Sequence, residues 1–211
     1  MLQTEAVEAP TLELIKSLQE KPYLQGFHLV GGTALALYLG HRKSIDIDLF
    51  TNVDFDASVL LEQIQQNFSY QLFQTASNTL KGCIGNINVD ILAHRYKVIG
   101  EQNVIQGVKL LSLPDIIAMK LNAIATSGQR SKDFIDIYYL LNSYNLGQML
   151  DFYKDKYKQQ HRAFILKSLI YFDDVDLGDW PVLIENPKLK WADVKSRIEQ
   201  HVMDYYKSSV K

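Results

Sequence analysis

The segment His28-Leu29-Val30-Gly31-Gly32-Thr33-Ala34-Leu35-Ala36-Leu37-Tyr38-Leu39-Gly40-His41-Arg42-Lys43-Ser44-Ile45-Asp46-Ile47-Asp48-Leu49-Phe50 carries a strand, a glycine turn, a helix and a second strand in succession. Residues i and i+2 of a strand project from one face, so Asp46 and Asp48 present both carboxylates together. Ile45, Ile47 and Leu49 are expected on the opposite face, toward a core. Adjacent like charges repel, and a divalent cation or a proton between them relieves the repulsion. Hard oxygen ligands suit Mg²⁺, which takes one or two carboxylates and completes its shell with phosphates and water. Gly31-Gly32 lets backbone N–H groups approach a ligand closely. The helix opening from them supplies free donors and a positive dipole end, which together make a phosphate site. Thr33 reads as the N-cap of that helix, with a hydroxyl also in reach of a phosphate.

Either element alone has a plainer reading. Gly-Gly-Thr is also an ordinary strand-to-helix turn, and Asp-Ile-Asp is also an exposed edge strand. Their order and spacing around one helix favour a shared site. Gly31-Gly32-Thr33, Gly40-His41-Arg42, Ser44 and Asp46-Ile47-Asp48-Leu49-Phe50 together resemble the opening of the AbiEii/AbiGii-type toxin nucleotidyltransferases. These belong to the DNA-polymerase-β-like nucleotidyltransferase superfamily. That superfamily commonly has Gly-Ser where this chain has Gly-Gly-Thr, so the hydroxyl is kept one place on.

The resemblance implies an α+β fold: a polymerase-β-like α/β domain with a mixed sheet over residues 1–110, then a helical domain over 111–211 that completes the active site. It implies a third metal carboxylate on a neighbouring strand, and Asp90 in Ile87-Asn88-Val89-Asp90-Ile91-Leu92 matches by position. Asp46, Asp48 and Asp90 would then hold Mg²⁺ or Mn²⁺, with a nucleoside triphosphate as substrate. It also implies a downstream lysine followed by Arg-x-x-Asp-x-x-Asp, matched by Lys120, Arg130, Asp133 and Asp136. The implied roles are triphosphate contact for Lys120 and catalytic or positioning duty for Asp133 or Asp136. Arg130 and Arg42 are candidate phosphate contacts with Gly31, Gly32 and Thr33. A helix–helix salt bridge between Lys120 and the two aspartates is compatible with that function. The implied reaction is NMP transfer to an acceptor hydroxyl, with RNA, and foremost the tRNA 3′ end, as acceptor. A cognate antitoxin is the implied partner. A protein hydroxyl as acceptor, or a non-catalytic nucleotide-binding or antitoxin-like module, remain the rival readings.

Working outward, Pro10–Glu20 and Asp56–Asn67 read as helices, and Tyr70–Thr75 as a strand. Leu80–Ile84 and Ile87–Leu92 alternate about a Gly85-Asn86 turn. Val104–Leu110 reads as one more strand. Past Leu113-Pro114 the apolar spacing turns helical, and Phe134, Ile137, Tyr138 and Leu141 form a stripe. His41 reads as a solvated loop residue. Lys154, Lys156, Lys158, His161, Arg162 and Lys167, interleaved with Tyr153 and Tyr157, read either as a solvated helix face or as a contact for structured RNA. The acidic run Asp173–Asp179 reads as a loop without the pattern of a calcium site.

Composition sets bounds. The 211 residues are 47% hydrophobic and 22% charged, ordinary values for a globular protein. Residues 1–105 hold 7 Lys/Arg and 11 Asp/Glu, whereas residues 106–211 hold 15 and 13. An acidic half suits a metal; the mildly basic half falls short of a non-specific nucleic-acid surface. Cys83 is the single cysteine, which excludes an internal disulfide and a Cys-based zinc site. No secretory signal or membrane span is read, so a cytoplasmic location is expected. Arg197 and His201 are one residue too close for the Arg-x₄₋₆-His of a HEPN ribonuclease.

Overall fold

The computed structural model describes residues 1–159 and 161–209. Helix α1 (Ala9–Gln19) leads into β1 (His28–Leu29), α2 (Gly31–Leu39), β2 (Ile47–Thr51) and α3 (Ala57–Gln65). Strands β3 (Tyr70–Ala76), β4 (Thr79–Ile84), β5 (Ile87–Ala93), β6 (Asn103–Ile105) and β7 (Val108–Leu110) follow. Helices α4 (Leu113–Thr126), α5 (Ser131–Leu140), α6 (Leu146–Tyr157), α7 (Arg162–Leu169) and α8 (Trp191–Ser209) come next, with an irregular segment over 170–190 between the last two.

The strands form one mixed sheet in the order β3-β4-β5-β2-β1-β7-β6. β2 lies between antiparallel β1 and parallel β5, in a register that sets Asp48 beside Asp90 and Phe50 beside Leu92. The pleat then decides what faces the core. Ile47, Leu49, Val89 and Ile91 are fully buried, while Asp48, Phe50 and Asp90 share the opposite face. β2 begins only at Ile47, and Ile45, expected toward the core, is 49% exposed.

Val104–Leu110 is not one strand. Gln106 (φ 51°) and Gly107 (φ 81°) turn it into the β6–β7 hairpin, and the Gln-Gly pair is the turn signal that the apolar neighbours masked. Helix α2 is apolar all round, with Ala34, Leu35, Ala36 and Leu37 fully buried. Its burial on every side fixes the direction in which its glycine end points.

Helix α4 starts at Ser112, whose hydroxyl accepts from the Asp115 amide, with Pro114 in the first turn. Asp115 is buried and binds Lys156 Nζ at 2.7 Å and the amides of Ile99 and Gly100. This pair pins α6 and the segment before β6 onto α4. It also corrects one half of the basic stretch: Lys156, Tyr153 and Tyr157 are buried, whereas Lys154, Lys158 and Lys167 remain exposed. Among the described residues, no helix is long and apolar enough to cross a membrane.

Candidate active site

One cavity of about 930 Å³ opens over the face of β2 that carries Asp48. Its floor is the segment Val30–Thr33 with Asp46, Asp48 and Phe50, and α4 forms one wall through Ile116, Met119, Lys120 and Ala123. Those four recur at helical spacing, so a single face of α4 looks into it. Arg130, Lys132 and Asp133 at the start of α5, and Gly178–Val182, complete the rim.

The glycines are set by close approach. Gly31 has φ 69°, and a Cβ there would lie 2.2 Å from Asp48 Oδ2. A Cβ on Gly32 would lie 2.5 Å from Arg42 Nη2. No side chain caps the start of α2, whose N-cap is Val30. Its first amides are therefore open to an anion. Thr33 is not the cap, because the helix begins at the left-handed Gly31, three residues earlier than a Thr33 cap would start it. The Thr33 hydroxyl instead bonds Ser44 Oγ at 2.8 Å and the backbone carbonyl of Asp46. It thereby ties the helix to the strand that carries the aspartates.

The carboxylates divide into two groups. In front, burial and then the neighbouring Asp90 push the Asp48 carboxyl up to about 6, with Asp46 adding to the effect. Burial likewise raises Asp90, against the opposing pull of Lys81 at 3.5 Å. Asp46 accepts from Asn88 Nδ2 at 3.0 Å. This is a set of anions short of cations, and its donors are hard oxygens, so the residues fit a divalent metal of the Mg²⁺ class. Among the described residues no three such side chains are already drawn into a cage. A metal that keeps its waters and borrows phosphate oxygens needs no closed cage.

Behind them the balance is reversed. Asp136 is fully buried and receives Arg42 Nε at 2.7 Å, Arg42 Nη2 at 3.0 Å, His41 Nε2 at 2.8 Å and Lys120 Nζ at 2.7 Å. Burial opposes its ionisation, but Arg42 and Lys120 win and hold its carboxyl well below the usual range. Lys120 also binds Asp133 at 2.6 Å, and burial is outweighed there too, so its ammonium is held above its usual value.

The structure thus brings together Gly31, Gly32, Thr33, Arg42, Asp46, Asp48, Lys120, Arg130 and Asp133 on one cavity. Asp90 stands beside Asp48 in the sheet register. Asp136 lies beneath, out of reach of the cavity, and the charge of Arg42 is committed to it. His41, read from sequence as solvated, is fully buried because its ring is the third partner of Asp136, beside Arg42 and Lys120. The acidic run is also more than a loop: Asp179 accepts from the amide and hydroxyl of Ser131 at the start of α5. Sequence reading passed over His94 and Trp180, which also line the cavity, as do Ser44, quoted only within the motif, and Tyr157, quoted only within the basic stretch. Period-two counting along β5 from Asp90 would have found His94.

Comparison with known proteins now bears on this geometry. Residues 13–78 and 85–209 match the family described as the nucleotidyl transferase AbiEii toxin, type IV toxin–antitoxin system. The chain belongs to the AbiEii family. It is a nucleotidyltransferase of the toxin class. An uncharacterised Aquifex aeolicus (strain VF5) protein, aq_aa25, is 30% identical over 185 residues, covering 85% of this chain and 87% of the relative. Among solved structures, JHP933 from Helicobacter pylori superposes with a TM-score of 0.54 at 18% identity, covering 96% of each chain. The nucleotidyltransferase toxin MenT4 from Mycobacterium tuberculosis H37Rv has a TM-score of 0.53 at 13% identity, covering 92% of this chain and 84% of its own. Both likenesses are of fold, and they agree with the mixed sheet and trailing helices of an AbiEii protein.

Proposed function

We propose that this AbiEii protein is the metal-dependent toxin of a toxin–antitoxin pair, acting in the cytoplasm and moving an NMP from a nucleoside triphosphate to a hydroxyl of RNA, foremost the tRNA 3′ end. The observation that carries the reading is the Asp48 carboxylate, wedged between the Gly31 backbone and Asp90 and short of a counter-charge. Residues 1–110 then form the catalytic domain and residues 111–211 the helical domain that completes the site.

The chain's own groups suffice for positioning. The open amides of Gly31 and Gly32 receive the β- and γ-phosphates, with Arg130 and Lys132 on the rim. Lys120, held charged by Asp133, faces the α-phosphate. Bound at Asp46, Asp48 and Asp90, Mg²⁺ or Mn²⁺ would neutralise the triphosphate and the departing pyrophosphate. The acceptor oxygen bonds to the α-phosphorus as the bond to pyrophosphate breaks, and Asp90, exposed on one side, takes the hydroxyl proton. Asp136 and His41 touch no substrate; they hold Lys120 and Arg42 in place.

Incubation with each labelled nucleoside triphosphate, Mg²⁺, total tRNA and cell extract tests the reading by where the label goes. Label on RNA that disappears in Asp46→Ala and Asp48→Ala is the expected result. Label on protein would move the acceptor to a Ser, Thr or Tyr hydroxyl, and full activity in either variant would sink the mechanism.

A further inference from the structure

The cavity has a second end that the phosphate chemistry leaves unused. Two residues beyond Asp48 on the same face of β2 stands Phe50, about 7 Å along the strand. His94 follows β5, its amide bonded to Thr51 carbonyl at 2.7 Å, and its ring lies 5.8 Å from the Phe50 ring at 36°. Tyr157, at the end of α6, meets His94 edge-on at 5.8 Å and places its hydroxyl 3.2 Å from His94 Nε2. Ile116 and Met119 of α4 close the recess. All five line the cavity, and Phe50 and His94 are only half-buried, unlike core aromatics such as Phe134.

We infer that this recess is a nucleobase subsite, with Phe50 as its stacking face and His94, oriented by Tyr157, as its polar reader. Groups fall in sequence along this face: Thr33, bonded to the Asp46 carbonyl, then Gly31 against Asp48, then Phe50. A triphosphate on the turn with its α-phosphorus at Asp48 sends its ribose toward Phe50, which makes the base that of the incoming nucleotide. Phe50 offers an aromatic face, and Ile116 and Met119 add apolar walls, the setting in which a base stacks. His94 has one ring nitrogen engaged by Tyr157, and Nδ1 has no hydrogen-bond partner among the described residues. That nitrogen is available to a base edge. Burial, then Lys156, lowers His94 to about 4, so the ring is a neutral donor or acceptor at physiological pH.

The inference rests on the proposed nucleotide transfer, and its test is a binding measurement that needs no turnover. Each nucleoside triphosphate, tripolyphosphate and the RNA trinucleotide CCA are titrated with Mg²⁺ into wild type, Phe50→Leu and Tyr157→Phe by calorimetry. Phe50→Leu keeps apolar bulk and removes the ring; Tyr157→Phe removes one hydroxyl and serves if the first variant misfolds. Unchanged tripolyphosphate binding reports an intact phosphate site. The expected result is that a triphosphate with a base binds wild type about tenfold or more tightly than tripolyphosphate. Phe50→Leu loses most of that margin and Tyr157→Phe a smaller part. Loss confined to CCA binding would keep a nucleobase in the recess and make it the acceptor's. Affinities for triphosphates and CCA unchanged in both variants would overturn the subsite. Transfer by wild type alongside unchanged affinities sinks only the subsite, and lost margins without any transfer sink only the proposed reaction.

Discussion

Two groups of aspartates lie on either side of Lys120, and they are built on opposite principles. Asp46, Asp48 and Asp90 share one open face, and burial, then the charge of Asp90, pushes Asp48 up to about 6 against the weaker pull of Lys120. Asp136, with Asp133 at its flank, is saturated by Arg42, Lys120 and His41 and held well below the normal range. The first arrangement stores an electrostatic demand that only a ligand meets. The second has met its demand internally and serves as a fixed mount. A carboxylate's chemistry here follows from its counter-charges, since all of these residues are aspartates.

The largest separation is expected from Asp48→Asn. Transfer should fall by at least roughly a thousandfold, equivalent to about 4 kcal/mol of barrier, while the urea midpoint stays level or rises as repulsion is relieved. A lowered midpoint with retained transfer would break the contrast. Asp136→Ala should do the reverse in kind, costing about 3–5 kcal/mol of stability by stranding buried cations, read from urea denaturation. A variant that lost transfer at full stability would instead make Asp136 catalytic. Arg42→Lys keeps the charge and loses the two-pronged grip on Asp136, for an expected cost of about 1.5–3 kcal/mol.

The smallest effect concerns pH. His94 is lowered to about 4 from an ordinary value near 6.5, so its contribution is present above 6.5 and lost as pH falls toward 4. Asp48 runs the other way, adding stability as pH falls below about 6. The wild-type minus His94→Gln difference in melting temperature between pH 7 and pH 4.5 isolates the first. It should shrink on acidification, and a constant difference would count against a neutral His94.

How much of this was legible before the fold was known varies with sequence distance. The strand–glycine–helix–strand unit and the hairpin leading to Asp90 are local patterns, and periodicity suffices to read them. Helical spacing put Asp133 and Asp136 on one flank, and the need of a semi-buried charge for a counter-charge pointed to Lys120 as their partner. The role of His41 and Arg42 did not, because their partner Asp136 is about 95 residues away and a basic loop residue gives no sign of burial. Lys156 was hidden likewise, since its partner Asp115 lies on another helix. Ile45 misled because period two was extended past the strand's true start.

The rim segment has a consequence for how the protein comes into being. Residues 176–183 reach back to pair with Arg130 and with Arg42, and Asp179 caps α5. A chain emerging from the ribosome therefore displays the glycine turn and all the aspartates long before the strap that borders them is made. Contacts so remote in sequence close late. In a member of a toxin family, a part made only after both groups of aspartates thus borders the cavity, and a nascent chain halted before residue 176 has an unfinished cleft.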